Sequence, residues 1–259
     1  GASSSFGLGT LDNVDMYFNT NMPELKALYD AKQLAPIVAA GVPTNIRSHF
    51  EAQDMMERGG ADGTVLPGNG WLARHMNQLN LATALSTVAI STSMPTSLMG
   101  DNQALAIPNP ANFNVSGGTN TSNVVRGLVR GTTDYEKKAL ETLDAITNVQ
   151  TAYRALTNNT QTGYTNGDLS TPLRSLATLI KMNAGVSVAT VDMGGWDHHQ
   201  NLTAAFTTRA QELSRSISAF WNDLGTTYQP QVTIVTMTEF GRRFTENANR
   251  GLDHGSAST

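Results

Sequence analysis

The segment from Val186 to Met237 constrains the fold most. Val186 to Met193 is an alternating, β-branched run of the kind that forms a buried strand. From Leu202 to Leu224 the apolar residues Phe206, Leu213, Ile217, Phe220 and Leu224 keep helical spacing, with charged residues between them. Gly225 ends that helix, Pro230 bars its resumption, and Val232 to Met237 is a second β-branched run. Strand, helix, strand predicts a right-handed crossover with two parallel strands that end on the same edge of a sheet. The class expected is α/β, a mostly parallel sheet flanked by helices.

Ligands of open α/β sheets bind outside the carboxyl ends of the strands. Those ends carry Gly194-Gly195-Trp196-Asp197-His198-His199 and Thr238-Glu239-Phe240-Gly241-Arg242, and Asp253-His254-Gly255 follows a short loop later. Three of the five histidines in the chain lie in these segments. Carboxylate oxygen and imidazole nitrogen suit zinc, manganese or a similar divalent ion, so Asp197, His199, Glu239, Asp253 and His254 are candidate metal ligands. The plainer alternatives are Asp253 as a turn or cap residue, the histidines as solvated loop groups, and Glu239 paired to Arg242 or Arg243.

The rest of the chain is less regular. Residues 1 to 20 open Gly- and Ser-rich and read as a loop or frayed start. A helix begins at Pro23 and is followed by an apolar run, Ala35 to Val42, of strand character. Ser48-His49-Phe50-Glu51 has the form of a capping box opening a helix through Arg58, closed by Gly59 and Gly60. A short helix is expected from Trp71 to Leu79. Residues 86 to 133, rich in Ser, Thr, Asn and Pro with one strand-like run at Thr87 to Ile90, read as a polar insertion or lid in a single domain spanning 1–259. Helical texture returns from Asp134 to Leu156 and from Pro172 to Met182.

Composition removes several classes. At 259 residues the chain can bury a full core. It has no cysteine, so any metal rests on His and carboxylates. A formal charge of -4 with no basic stripe excludes the usual nucleic-acid footprint. No run of about eighteen apolar residues forms a membrane span. Oligomeric state has no signature here.

Several stretches resemble domain-of-unknown-function family 1501, placed in the alkaline phosphatase and sulfatase superfamily. They are Arg47-Ser48-His49-Phe50-Glu51-Ala52-Gln53-Asp54, Gly194 to His199, and Thr238 to Arg243 with Asp253-His254-Gly255, with weaker matches at Gly70-Trp71-Leu72 and Pro95 to Gly100. The resemblance implies an alkaline phosphatase-like core, a divalent-metal centre, and often export by a twin-arginine signal, hence a periplasmic or secreted protein. Asp197 with His199 and Glu239 match superfamily metal positions, and Asp253 with His254 matches the Asp-His pair that completes the centre. His198 stands where the family commonly has Thr and is a secondary candidate. Members usually open with a strand and a Gly-Gly-x-Asp-Gly turn; Gly59 to Gly63 is out of order for that turn, so Asp62 takes no role. The sequence reads as a fragment beginning after that strand and stopping before further ones.

Superfamily hydrolases place a nucleophile at a helix N-terminus, where amides and the helix dipole stabilise an attacking alkoxide and a bound anion. Ser48 occupies such a position, either as nucleophile or as the cap of the helix. His49 is a candidate ligand or anion contact, or a helix-surface residue. Arg47 and Arg242 are candidates to hold an oxyanion, or to pair with nearby carboxylates. The expected function is a metal-dependent hydrolase of phosphate or sulfate esters, acting on an anionic small molecule or an envelope polymer. The alternative is a non-catalytic exported binding or assembly protein that keeps the fold and a metal.

Overall fold

A computed structural model describes residues 5–11, 14–38, 40–42, 44–60, 68–79, 81, 85–157 and 163–256. Among them the chain is mixed α/β, with seven α-helices and a three-stranded parallel sheet. Strands β1 (Ser5–Leu11) and β2 (Val14–Asn19) form an antiparallel hairpin with a bulge between Gly7 and Gly9. This corrects the expected loop at 1 to 20. The glycines weaken β1, but Met16, Tyr17 and Phe18 favour a pleated surface, and Tyr29 Oη donates to the Leu8 carbonyl at 2.6 Å.

Helix α1 (Pro23–Asp30) starts at its proline as expected and buries Leu25. The run Ala35 to Val42 is not a strand; its described residues carry no more than an isolated bridge at Ala40. Pro36 removes a ladder donor, and Ile37 is 74% exposed, so nothing rewards pairing. Helices α2 (His49–Arg58) and α3 (Trp71–Leu79) form where the pattern places them. Gly59, in the left-handed conformation at φ 65°, closes α2. The Asp62-Gly63 and Pro67-Gly68 pairs predict turns, and of these residues only Gly68 is among those described.

Strand β3 (Thr87–Ala89) is the centre of the parallel sheet, between β4 (Leu105–Ala106) and β5 (Val188–Thr190). The segment 86–133 thus supplies two of the three strands, followed by α4 (Gly118–Leu128), which buries no residue. Helices α5 (Asp134–Thr157), α6 (Ser170–Lys181) and α7 (Leu202–Tyr228) follow the sequence periodicity closely. Val88 from β3, Ile107 just after β4, Val149 from α5, Leu176 from α6 and Phe220 from α7 meet in one core.

Two expected features differ at the crossover. Of Val186 to Met193, only Val188–Thr190 joins the ladder. The run Val232 to Met237 forms no strand, and Val235 and Met237 are 70% and 53% exposed. Apolar residues at both parities fit a strand covered on both faces, and the described residues supply no such cover. The chain then forms an antiparallel pair, β6 (Arg242–Glu246) with β7 (Leu252–His254).

Candidate metal centre

Four pieces of chain converge: the first residue of α2, the loop between β5 and α7, the approach to β6, and the end of β7. His49, Asp197 and His254 offer ligand atoms that lie within 4.8 Å of one another. His199 joins them, its Nε2 3.0 Å from Asp197 Oδ1 and 2.9 Å from His254 Nε2. His254 Nε2 stands 3.2 Å from the same Asp197 oxygen. Phe240, buried, floors the cluster with its ring centroid 4.7 Å from those of both His49 and His254.

Each imidazole is held from behind. His49 Nδ1 lies 2.6 Å from Glu239 Oε1, which also accepts from Gln53 Nε2 at 3.2 Å. His199 Nδ1 lies 3.0 Å from Asp253 Oδ1, which accepts from Asn247 Nδ2 at 3.0 Å as well. His254 Nδ1 lies 2.6 Å from the Arg47 carbonyl. An acceptor at Nδ1 calls for a proton there, which leaves the lone pair on Nε2. His49 Nε2 accordingly is buried without a hydrogen-bond partner among the described residues, although Asp197 Oδ1 stands 3.4 Å away. An acceptor faces an acceptor, the arrangement a cation resolves.

The loops are pinned to one another. Arg242 opens β6 and pairs with His254 across the ladder. Its guanidinium donates to Asp197 Oδ1, to the Leu252 carbonyl at 3.1 Å and to the Trp196 carbonyl at 3.4 Å. Burial alone would raise the Asp197 carboxyl, but the Arg242 hydrogen bond and charge hold it well below the usual carboxylate range. The Asn247 amide, and then His199, hold Asp253 low in the same way. Gly251 lies directly against His199: a Cβ there would come 2.1 Å from the His199 carbonyl carbon. That closeness demands glycine.

All five expected ligands, Asp197, His199, Glu239, Asp253 and His254, are therefore brought together, with His49 among them. His198 is instead buried outside the cluster; its pKa is lowered by burial and then by the Arg242 charge, so its neutral form is favoured. Ser48 is the N-cap of α2 by backbone, but its side chain makes no capping hydrogen bond. The helix half of the expected capping box holds, and the hydroxyl half does not. Arg47 contributes its carbonyl. Sequence reasoning missed Asn247, Gly251 and Gln53. Gln53 was detectable, since it follows His49 by four residues and shares its helix face; Asn247 and Gly251 carry only a turn signal.

Comparison with curated proteins and with solved structures returned no match to either. A family model does match, over residues 37–259, which takes in every residue of the cluster. The chain belongs to that family, described as a protein of unknown function and designated DUF1501.

Proposed function

We propose that this chain is a divalent-metal-dependent hydrolase of phosphate or sulfate esters, with an alkaline phosphatase-like core and a role in the cell envelope. The observation that carries the reading is the convergence of His49, Asp197 and His254 beside a helix N-terminus whose serine hydroxyl caps nothing. A divalent ion held there supplies Lewis-acid stabilisation of charge on an ester oxygen. The residues of the chain supply the rest. Ser48, next to a ligand, presents an uncommitted hydroxyl, and the first-turn amides and dipole of α2 favour an anionic group in front of it.

The test is turnover of chromogenic phosphate and sulfate monoesters by the protein reconstituted with zinc or manganese. Turnover should vanish with chelator, with His49→Ala and with Ser48→Ala. Ser48→Ala should leave the melting temperature unchanged, whereas loss of a working cap costs about 1 kcal/mol. A metal-loaded protein that turns over none of these esters refutes the hydrolase reading and leaves a binding protein with a metal.

A further inference from the structure

The six acidic and imidazole side chains of the cluster do not all face inward. We propose that they form one mononuclear, zinc-selective centre in which His49, His199 and His254 coordinate through Nε2 together with Asp197, while Glu239 and Asp253 are positioning residues and not ligands. This deepens the proposed function and rests on its metal.

The division follows from which ring nitrogen each carboxylate faces: Glu239 and Asp253 meet Nδ1 atoms, whereas Asp197 Oδ1, which also accepts from Arg242, stands before the three Nε2 atoms. Glu239 Oε1 receives His49 and Gln53, and Asp253 Oδ1 receives His199 and Asn247. The third ring is set by the Arg47 carbonyl. Each imidazole thus turns Nδ1 outward to an acceptor and Nε2 inward, the carboxylate–histidine–metal arrangement that fixes ring orientation and tautomer. A second ion on Glu239 Oε1 or Asp253 Oδ1 would have to take these acceptors from their histidines.

The inward atoms have a size. Asp197 Oδ1 lies 3.4, 3.0 and 3.2 Å from the three Nε2 atoms, and two of those nitrogens are 2.9 Å apart. A tetrahedron of ligands about 2.0–2.1 Å from zinc has edges of roughly 3.3 Å. Calcium takes about six to eight oxygen ligands, which three imidazoles and one carboxylate do not supply. Three imidazoles and one carboxylate also favour zinc over manganese, which prefers more oxygen. Four protein ligands make a closed zinc site at rest, so an ester oxygen would enter by expansion to five ligands, as occurs in some zinc transition states.

The experiment uses the full chain, with metal stoichiometry by elemental analysis and zinc affinity by competition with a chromogenic chelator. Wild type should hold one zinc per chain, displaced poorly by manganese. His49→Ala should lose it. Glu239→Gln and Asp253→Asn should keep one zinc with affinity about 10–100-fold weaker. Long-range proton–nitrogen NMR of the metal-free protein should show all three rings protonated at Nδ1, a readout that needs no variant to fold. Two ions per chain, loss of zinc from folded Glu239→Gln equal to that of His49→Ala, or rings protonated at Nε2 would overturn the assignment. One zinc without ester turnover refutes the hydrolase reading alone; two ions with turnover refute this one alone.

Discussion

Gly251→Ala tests how tightly the β6–β7 turn and the His199 loop depend on each other. The added methyl would stand 2.1 Å from the His199 carbonyl carbon, 2.2 Å from its oxygen and 2.4 Å from the Gln200 nitrogen. All three are backbone atoms, so no side chain can rotate away. Ordinary contact begins at 3.4 Å, so the two segments must part by about 1.3 Å. Among the hydrogen bonds that cross that seam are Asn247 Nδ2 to the His199 carbonyl at 3.0 Å, Leu252 N to the His198 carbonyl at 3.0 Å, Asn201 N to the Asn249 carbonyl at 3.2 Å, and Leu202 N to the Arg250 carbonyl at 2.9 Å. A displacement of that size takes them past useful geometry. Overpacking costs about 1–3 kcal/mol, which lowers the melting temperature by roughly 2–4 °C per kcal/mol in a chain of this size. The metal centre should suffer more, because Asp253 and His254 leave on the moving side while Asp197 and His199 stay. Zinc affinity should fall at least about tenfold, in line with displaced supporting residues of metal sites. Gly194→Ala, where a Cβ meets nothing within 4 Å, is the control from the same loop system. Competition titration and thermal melting on both variants decide the matter. Gly251→Ala with zinc affinity and melting temperature equal to wild type would refute the packing argument.

Three further outcomes are expected. Gly225→Ala should destabilise the protein by about 1–3 kcal/mol in denaturant unfolding, because φ 58°, ψ -179° is open to glycine alone while the site has room for the methyl; an unchanged midpoint refutes this. Phe220→Ala, at a position 2% exposed in the core, should cost about 3–5 kcal/mol by the same measurement, and a loss under about 1 kcal/mol would contradict its central packing. Glu136 is held from its ordinary 4.5 down to about 2 by the Thr132 hydroxyl and the amides of Thr133 and Thr132. A depressed folded pKa stabilises above pH 4.5 and loses that contribution as pH falls from 4.5 to 2; an NMR titration of its carboxyl with a midpoint near 4.5 would refute the local network.

Helices were the readable part of the fold, for a local reason. In α5, α6 and α7 the apolar spacing and the punctuating Gly225 act within a few residues of the feature they specify. Strands depend on partners. Thr87–Ala89 reads as strand-like, but nothing local marks a three-residue run in a Ser- and Thr-rich stretch as the centre of a sheet, fully buried because β4 and β5 flank it. Val232 to Met237 has the opposite history: its composition is that of a buried strand, and no described neighbour pairs with it. The β1–β2 hairpin was obscured because Gly7 and Gly9 dominate β1, although β2 carries the aromatic residues that make the pairing worthwhile.

The cluster of imidazoles and carboxylates shows where local reading stops. Asp197 with His199, and Asp253 with His254, announce themselves because each pair is nearly contiguous and sits in a glycine-marked loop. Their assignment as five equivalent ligands treats every carboxylate and imidazole alike, since sequence specifies which groups are present and not which way a ring faces. Ring direction is set by contacts of long range: Glu239 reaches His49 across 190 residues, and the Arg47 carbonyl reaches His254 across 207. These contacts exist because the ladder register places Arg242 opposite His254, and because Arg242 ties the Trp196 and Leu252 carbonyls together. Arg242, a candidate to hold an oxyanion or to pair with a nearby carboxylate, takes the second course, committed to Asp197 and to two carbonyls. Its charge still matters to the centre, for it keeps Asp197 ionised and aimed at the three nitrogens, so its replacement by methionine should loosen the metal before it affects any substrate.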